Sequence, residues 1–287
     1  MPCKSQERIC STNSRANQKV ENKKPQFALI TQIDFSVLSV TSVVIFLCGD
    51  YFMPVFYAVS TGPGGAELIT LKALRILKSC DIIFYPESKK NSIALNSLKN
   101  LESEIDLSHK SLFPCNFSMT EDEKKSESEY KIIAEHCLDF LKNGKDVAML
   151  SIGDVSLYST AGKTASLIKK AGFKVEFVAG VNSFSAAASS ASLSLCEKDQ
   201  ALSVIPGDSF FNDGKLESEL KNAGSKILMK MGRHLKEIIL LLEKLDLIKK
   251  SVLVQKASLA DEKIFYGEQI FSICQGILIM HIFQYCL

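Results

Sequence analysis

The sequence predicts an α/β protein of two domains, the first built on a mainly parallel sheet and the second on a mixed one. Three observations predict it. From Met53 onward, short apolar runs alternate with stretches of helical period, the signature of strands joined by crossover helices. Three turns, STGPGG (60–65), GDVS (153–156) and AGVNS (179–183), stand at the carboxyl ends of apolar runs. Beyond Asn182 the apolar runs shorten and their connections become irregular, which suits a mixed sheet.

The elements follow in order. Residues 1–26 are polar, mildly basic and without an apolar period, so they are expected to be disordered. The next stretch has an uncharged core from Phe35 to Gly49, shorter than the roughly 18–20 residues that span a bilayer. It reads as a signal anchor interrupted by Asp34, as a targeting leader, or as extra sequence upstream of a functional start at Met53, and the last is favoured. Residues 1–52 are therefore set aside as a disordered or leader segment; residues 53–183 and 184–287 are the two expected domains, with the boundary near 180–186. No membrane contact is expected unless residues 28–52 act as an anchor.

In the first domain, VFYAVS (55–60) is a strand. AELITLKALRILKSC (66–80) is a helix with Leu68, Leu71, Leu74 and Leu77 on one face. DIIFYP (81–86) is the next strand, Ser92 to Leu101 a helix, and a polar connection runs through Pro114. Thr120 and Glu123 have capping-box spacing for a long helix to about Lys142, stopped by Asn143-Gly144. VAMLSIG (147–153), a helix through Lys170 and KVEFVAG (174–180) complete the unit. In the second, a small-residue helix begins near Asn182, followed by the strands ALSVIPG, KILMKMG and VLVQKA and the helix LKEIILLLEKL. The apolar last twenty residues are expected to hold a final strand at most.

Composition excludes more than it assigns. With 46% hydrophobic residues in 287, the chain can bury real cores. Its 34 basic and 32 acidic residues nearly cancel, which argues against a nucleic-acid binder that relies on counterion release. The nine cysteines include no C-x-x-C pair, so reduced, buried thiols in a cytoplasmic protein are expected. The four histidines are not within helix-turn spacing of one another, and no metal is assigned.

Ligands of open parallel sheets bind beyond the carboxyl ends of the strands, where helix N-termini converge, so one site could use all three turns. Asp154 follows a fully apolar strand, where a carboxylate needs a reason to be; capping the next helix would be one. Gly162-Lys163-Thr164 imitates the end of a phosphate loop. The glycine required five residues before Gly162 is replaced by Leu157, and the triplet falls inside an expected helix with Lys163 on its outer face.

FYAVSTGPGGAELITLKALRILKSCDIIFYP resembles the opening of the tetrapyrrole methylase family, a G-x-G-P-G-D loop followed by a P-E-L-x-T-L-K-A helix. LSIGDVSLYST resembles the family's second loop, G-D-P after a strand. VAGVNSFSAAAS resembles its P-G-(V/I)-(T/S)-(S/A) segment, and LMKMGRH the strand below the cofactor. Within the family, GDVSLYST, SFSAAA and SMTEDE are most similar to the precorrin-2 and cobalt-factor II C-20-methyltransferases. The chain departs at Ser60 (glycine in the family), Gly65 (aspartate), Val155 (proline) and Ala179 (proline).

The resemblance implies a homodimer with S-adenosylmethionine bound in a cleft between the two α/β domains, and methyl transfer to C-20 of a reduced tetrapyrrole in cobalamin biosynthesis. Carried over by motif, the cofactor contacts are Pro63, Gly153, Asp154, Leu157, Asn182, Ser183, Met231 and Ala257, with Leu157 and Met231 as apolar walls. The substrate carries many carboxylates, for which Lys230, Arg233 and His234 are candidates. No catalytic base is assigned; Glu67 and Tyr158 are only guesses. Three alternatives stay open: another ring position or a diphthamide-forming methylase, a nucleotide-binding protein using residues 162–164, and a membrane-anchored, non-catalytic remnant.

Overall fold

The computed structural model describes residues 53–88, 91–117, 123–273 and 280–284, with the backbone alone for 123–124 and 280–284. The expected leader, the Thr120 cap and the SMTEDE segment lie outside the described residues or at their edge.

The first sheet holds β1 (Val55–Ser60), β2 (Ile82–Glu87), β3 (Ser111–Asn116), β4 (Val147–Ser151) and β5 (Lys174–Val178), in the order β3-β2-β4-β1-β5. Every pairing is parallel. Helices α1 (Leu71–Ser79), α2 (Ile93–Lys99), α3 (Glu123–Lys142) and α4 (Thr160–Lys170) make the crossovers. Because both faces are covered, the central strands β1 and β4 are largely apolar up to their last residues, Ser60 and Ser151. Alternate strand side chains feed two cores: Phe56, Phe84 and Met149 with Ile168 of α4 on one face, Val59, Ile83 and Leu150 with Leu77 of α1 on the other.

Two expectations fail here for local reasons. The connection through Pro114 is strand β3; it pairs with β2 alone, and an edge strand tolerates a proline that cannot donate to a neighbour. The helix expected from Ala66 starts at Leu71, after a 3-10 turn at Ala66–Leu68, because the Thr70 hydroxyl accepts the Ala73 amide at 3.3 Å. The new start turns Ala73 and Leu77 inward and leaves Leu71 69% exposed.

The second sheet holds β6 (Leu202–Pro206), β7 (Ser225–Met229), β8 (Ser251–Gln255), β9 (Lys263–Tyr266) and β10 (Met280–Gln284), in the order β6-β7-β10-β8-β9. It is mixed: β6 and β7 are parallel and the other pairs antiparallel. Helices α5 (Ser183–Ser190), α6 (Gly207–Asn212), α7 (Leu216–Lys221) and α8 (Leu235–Lys244) belong to this half of the chain. In α8, Leu235, Ile238, Ile239 and Leu242 are buried at helical spacing. The small residues of α5 let it pack close, with Ala187 and Ala188 in one core with Val252 and Val254. The terminal apolar run does form a strand, and β10 sits in mid-sheet between β7 and β8. Strand β9 and the six-residue helices α6 and α7 escaped the sequence reading because elements that short carry little period.

Candidate functional site

Strand order builds the site. With β1 between β4 and β5, the carboxyl ends of three strands lie side by side, and the turns that follow them are tied together. The Gly153 amide donates to the Gly62 carbonyl at 2.7 Å, and the Thr61 amide to the Ser151 carbonyl at 2.8 Å. The Ser60 hydroxyl accepts the Val155 amide at 2.9 Å. One Asp154 oxygen accepts the Gly180 amide at 2.7 Å; the other accepts the Ser156 amide at 2.8 Å and the Ser156 hydroxyl. Gly62 and Gly153 adopt left-handed φ values of 72° and 73°, which glycine reaches without penalty. Gly180 is required by proximity: a Cβ there would lie 2.3 Å from the Ser60 Cβ and 2.7 Å from the Gly153 carbonyl oxygen.

Asp154 is therefore a clasp between the second and third turns and not the helix cap, which is Ser159 through its bond from the Gly162 amide. Burial by itself would raise its pKa, but the hydrogen bonds from Ser156 and Gly180 outweigh that and hold the carboxyl below its ordinary value of 3.8. Both oxygens are used within the protein. These bonds fix the second turn, at Ser156, to the third, at Gly180.

The structure brings most of the expected cofactor residues together. Pro63 sits in the buried first turn, bridged to Gly153 through Gly62. The nearest atom to a Cβ placed on Gly153 would be the Ser183 amide nitrogen, at 3.9 Å, so a narrow cradle separates the second turn from the start of α5. Asn182 caps α5 without a side-chain bond, and Asn182 and Ser183 are half-buried with side chains that have no hydrogen-bond partner among the described residues. Leu157 is half-buried nearby in sequence. The donor set suits a ligand with polar edges, namely backbone amides, an unengaged carboxamide and a hydroxyl.

Met231 is different. Its side chain is 1% exposed and packs with Ile205, Leu235 and Ile238; a Cβ on Gly207 would reach within 2.6 Å of it. A side chain so enclosed is part of the core and does not supply the expected apolar wall. Ala257 is also buried, but it leads to Ser258, whose hydroxyl accepts the Gly65 amide at 3.0 Å.

Ser258 is a contact that the sequence did not disclose. It lies beside a cavity of about 530 Å³, lined by Gly64, Gly65, Glu67, Ala186, Ser190 and Leu259 among others. Lys256 and Ser258 both have positive φ, so the chain turns sharply here. A Cβ on Gly65 would lie 3.0 Å from the Ser258 carbonyl oxygen, a tight approach that favours glycine where the resembled pattern has aspartate.

The three expected cations divide. The Asp208 carboxylate accepts the amides of Arg233 at 3.2 Å and His234 at 3.1 Å, while its own amide donates to the Lys230 carbonyl. That clasp shapes the loop from Lys230 to Leu235. The Lys230 ammonium stands 4.8 Å from the ring centre of Tyr158, in the second turn's loop. Partial desolvation and, next, the charge of Lys163 push its pKa down. The His234 ring stacks on Phe211 at 4.9 Å, so its face is already covered. Gly162, Lys163 and Thr164 lie inside α4, which removes the phosphate-loop geometry. Among the described residues no three His, Cys, Asp or Glu side chains cluster to hold a metal, and no helix is long and apolar enough to cross a membrane.

Comparison with known proteins agrees with this architecture. The family described as Tetrapyrrole (Corrin/Porphyrin) Methylases matches residues 55–268. The chain is 34% identical to a probable cobalt-precorrin-2 C(20)-methyltransferase of Methanocaldococcus jannaschii over 74% of its own length and 86% of the relative's. It is 31% identical to the cobalt-precorrin-2 C(20)-methyltransferase of Salmonella typhimurium over 72% and 85%. Among solved structures, the uroporphyrin-III C-methyl transferase of Thermus thermophilus complexed with S-adenyl homocysteine superposes with a TM-score of 0.56 at 20% identity, over 80% of this chain and 96% of that one; at that identity the likeness shows the fold. Joined turns at the ends of three parallel strands, a mixed second sheet and a match across most of the chain lead to one conclusion: the protein belongs to the tetrapyrrole methylase family.

Proposed function

We propose that the protein transfers the methyl group of S-adenosylmethionine to C-20 of precorrin-2 or its cobalt form in cobalamin biosynthesis. The observation that carries this reading is the identity with two C(20)-methyltransferases over nearly three quarters of the chain. The site supports it. The turn at Gly62–Gly64, the Gly153 cradle, and the Asn182 and Ser183 side chains would hold the methyl donor, with Leu157 beside them. Bound there, S-adenosylmethionine supplies an already activated sulfonium methyl, so no protein nucleophile is needed. The turns are tied to one another by hydrogen bonds, and a fixed frame is what orientation of two reactants asks of a protein. Half-burial of Asn182 and Ser183 lets the cleft strengthen polar contacts while limiting water.

The same reading divides the chain at about residue 183, into residues 53–183 and 184–287, because α5 packs with the second sheet, and it carries a homodimer from the family resemblance. Light scattering of the purified full chain tests the dimer. Calorimetry with S-adenosylmethionine, followed by incubation with precorrin-2 and its cobalt form and mass analysis of the product, tests the activity. Failure to bind S-adenosylmethionine overturns the enzyme reading. Binding without methyl transfer to either tetrapyrrole overturns the substrate alone.

A further inference from the structure

The proposed tetrapyrrole substrate must bring carboxylates to this protein, and the structure points to a place for one of them in which Lys230 is joined by Lys163. Lys163 is the fourth residue of α4 and is exposed. Its ammonium stands 5.1 Å from the ring centre of Tyr130 in α3. Lys230, from the loop after β7, stands 4.8 Å from the ring centre of Tyr158, just before α4. Two ammonium groups from opposite halves of the chain therefore approach the same end of α4, each held on the face of a tyrosine. Tyr158, whose ring lies under Lys230, precedes Lys163 by only five residues at the start of α4, and burial and, next, the charge of Lys163 push the Lys230 pKa down. Among the described residues neither lysine makes an ion pair.

We propose that Lys163 and Lys230 together clamp a peripheral carboxylate of the tetrapyrrole, one ammonium for each oxygen. The proposal rests on the tetrapyrrole reading above and goes beyond its residues by recruiting Lys163. Like charges held near one another repel, and an anion placed between them turns that repulsion into two attractions. The first turn of α4 adds the positive end of a helix dipole to the same region. The backbone supports the arrangement: Tyr158 and Lys230 have φ values of 52° and 55°, a region that L-residues seldom occupy and that recurs at ligand clamps. A lone surface lysine would need neither the stacked ring nor the strained loop opposite.

The test uses the full chain and uroporphyrin III, a stable polycarboxylate macrocycle, beside the same macrocycle with its carboxylates amidated. Binding is followed by absorbance and fluorescence, with circular dichroism to confirm the fold of each variant. K163Q and K230Q are each expected to weaken uroporphyrin binding about tenfold and K163R by about twofold or less. The wild-type salt dependence should become shallower in K163Q, while binding of the amidated macrocycle and of S-adenosylmethionine stays unchanged. K163Q binding uroporphyrin as tightly as the wild type overturns the clamp, as does an equal loss for the amidated macrocycle, or no porphyrin binding by the wild type. No methyl transfer enters the measurement, so a protein that does not methylate precorrin-2 but shows the charge-specific loss keeps the clamp and loses only the substrate assignment.

Discussion

The hydroxyl oxygen of Ser60 accepts the amide hydrogen of Val155 at 2.9 Å, with both residues buried. These are two of the four positions at which the chain departs from the family pattern, which has glycine at the first and proline at the second. Proline has no amide hydrogen to give, and glycine has no hydroxyl to receive one. The two departures therefore form one compensated exchange and leave the turns joined.

Val155→Pro should destabilise the protein by about 1–3 kcal/mol, because the buried Ser60 hydroxyl loses its donor. Adding Ser60→Gly should recover part of that loss, with a coupling of about 1 kcal/mol in a double-mutant cycle by urea unfolding. Additive effects would show that the two positions are independent.

The clasp between Asp154 and Gly180 makes stability depend on pH. Its pKa lies below 3.8 in the folded protein, so the stability it contributes is complete above the unfolded value of about 3.9 and is lost as pH falls through the lower, folded pKa. Asp154→Asn should cost about 1–3 kcal/mol at pH 7 and flatten the acid limb of the stability profile below about pH 4. It should also weaken S-adenosylmethionine binding in calorimetry, since the second and third turns lose the clasp between Ser156 and Gly180.

Gly180→Ala should lower the melting temperature through a clash of about 1–3 kcal/mol. Ser60→Gly would remove the nearer contact at 2.3 Å but not the Gly153 carbonyl at 2.7 Å, so rescue should be partial. Full rescue would mean that the Gly153 carbonyl yields at no cost.

Burial pushes the thiol of Cys80 up to about 11 and that of Cys115 up to about 12, and raises Cys137 as well. Thiolate is the reacting form, so at pH 8 iodoacetamide should label half-buried Cys196 before these three. Peptide mass mapping after short exposure reads the order. Early labelling of Cys137 would contradict its place in the first core.

The alternation of apolar runs and helical periods from Met53 determined the two kinds of sheet, the positions of most strands, and the start of α5 near Asn182, because a buried run of strand length or a buried helical face is written within one segment. The three turns could be seen as candidates for the same reason: each ends an apolar run. Tertiary structure decided the rest. Nothing local shows that β1 lies between β4 and β5, yet that order alone lets Ser60 reach Val155 and Asp154 reach Gly180. Nothing local shows that Pro114 stands on an edge, that β10 fills the middle of the second sheet, or that the Met231 side chain is enclosed. Lys163 shows the difference most plainly. Periodicity places it on the outside of a helix, and the Tyr130 ring it rests on there comes from α3, a neighbour set by the packing of distant segments that no single segment encodes.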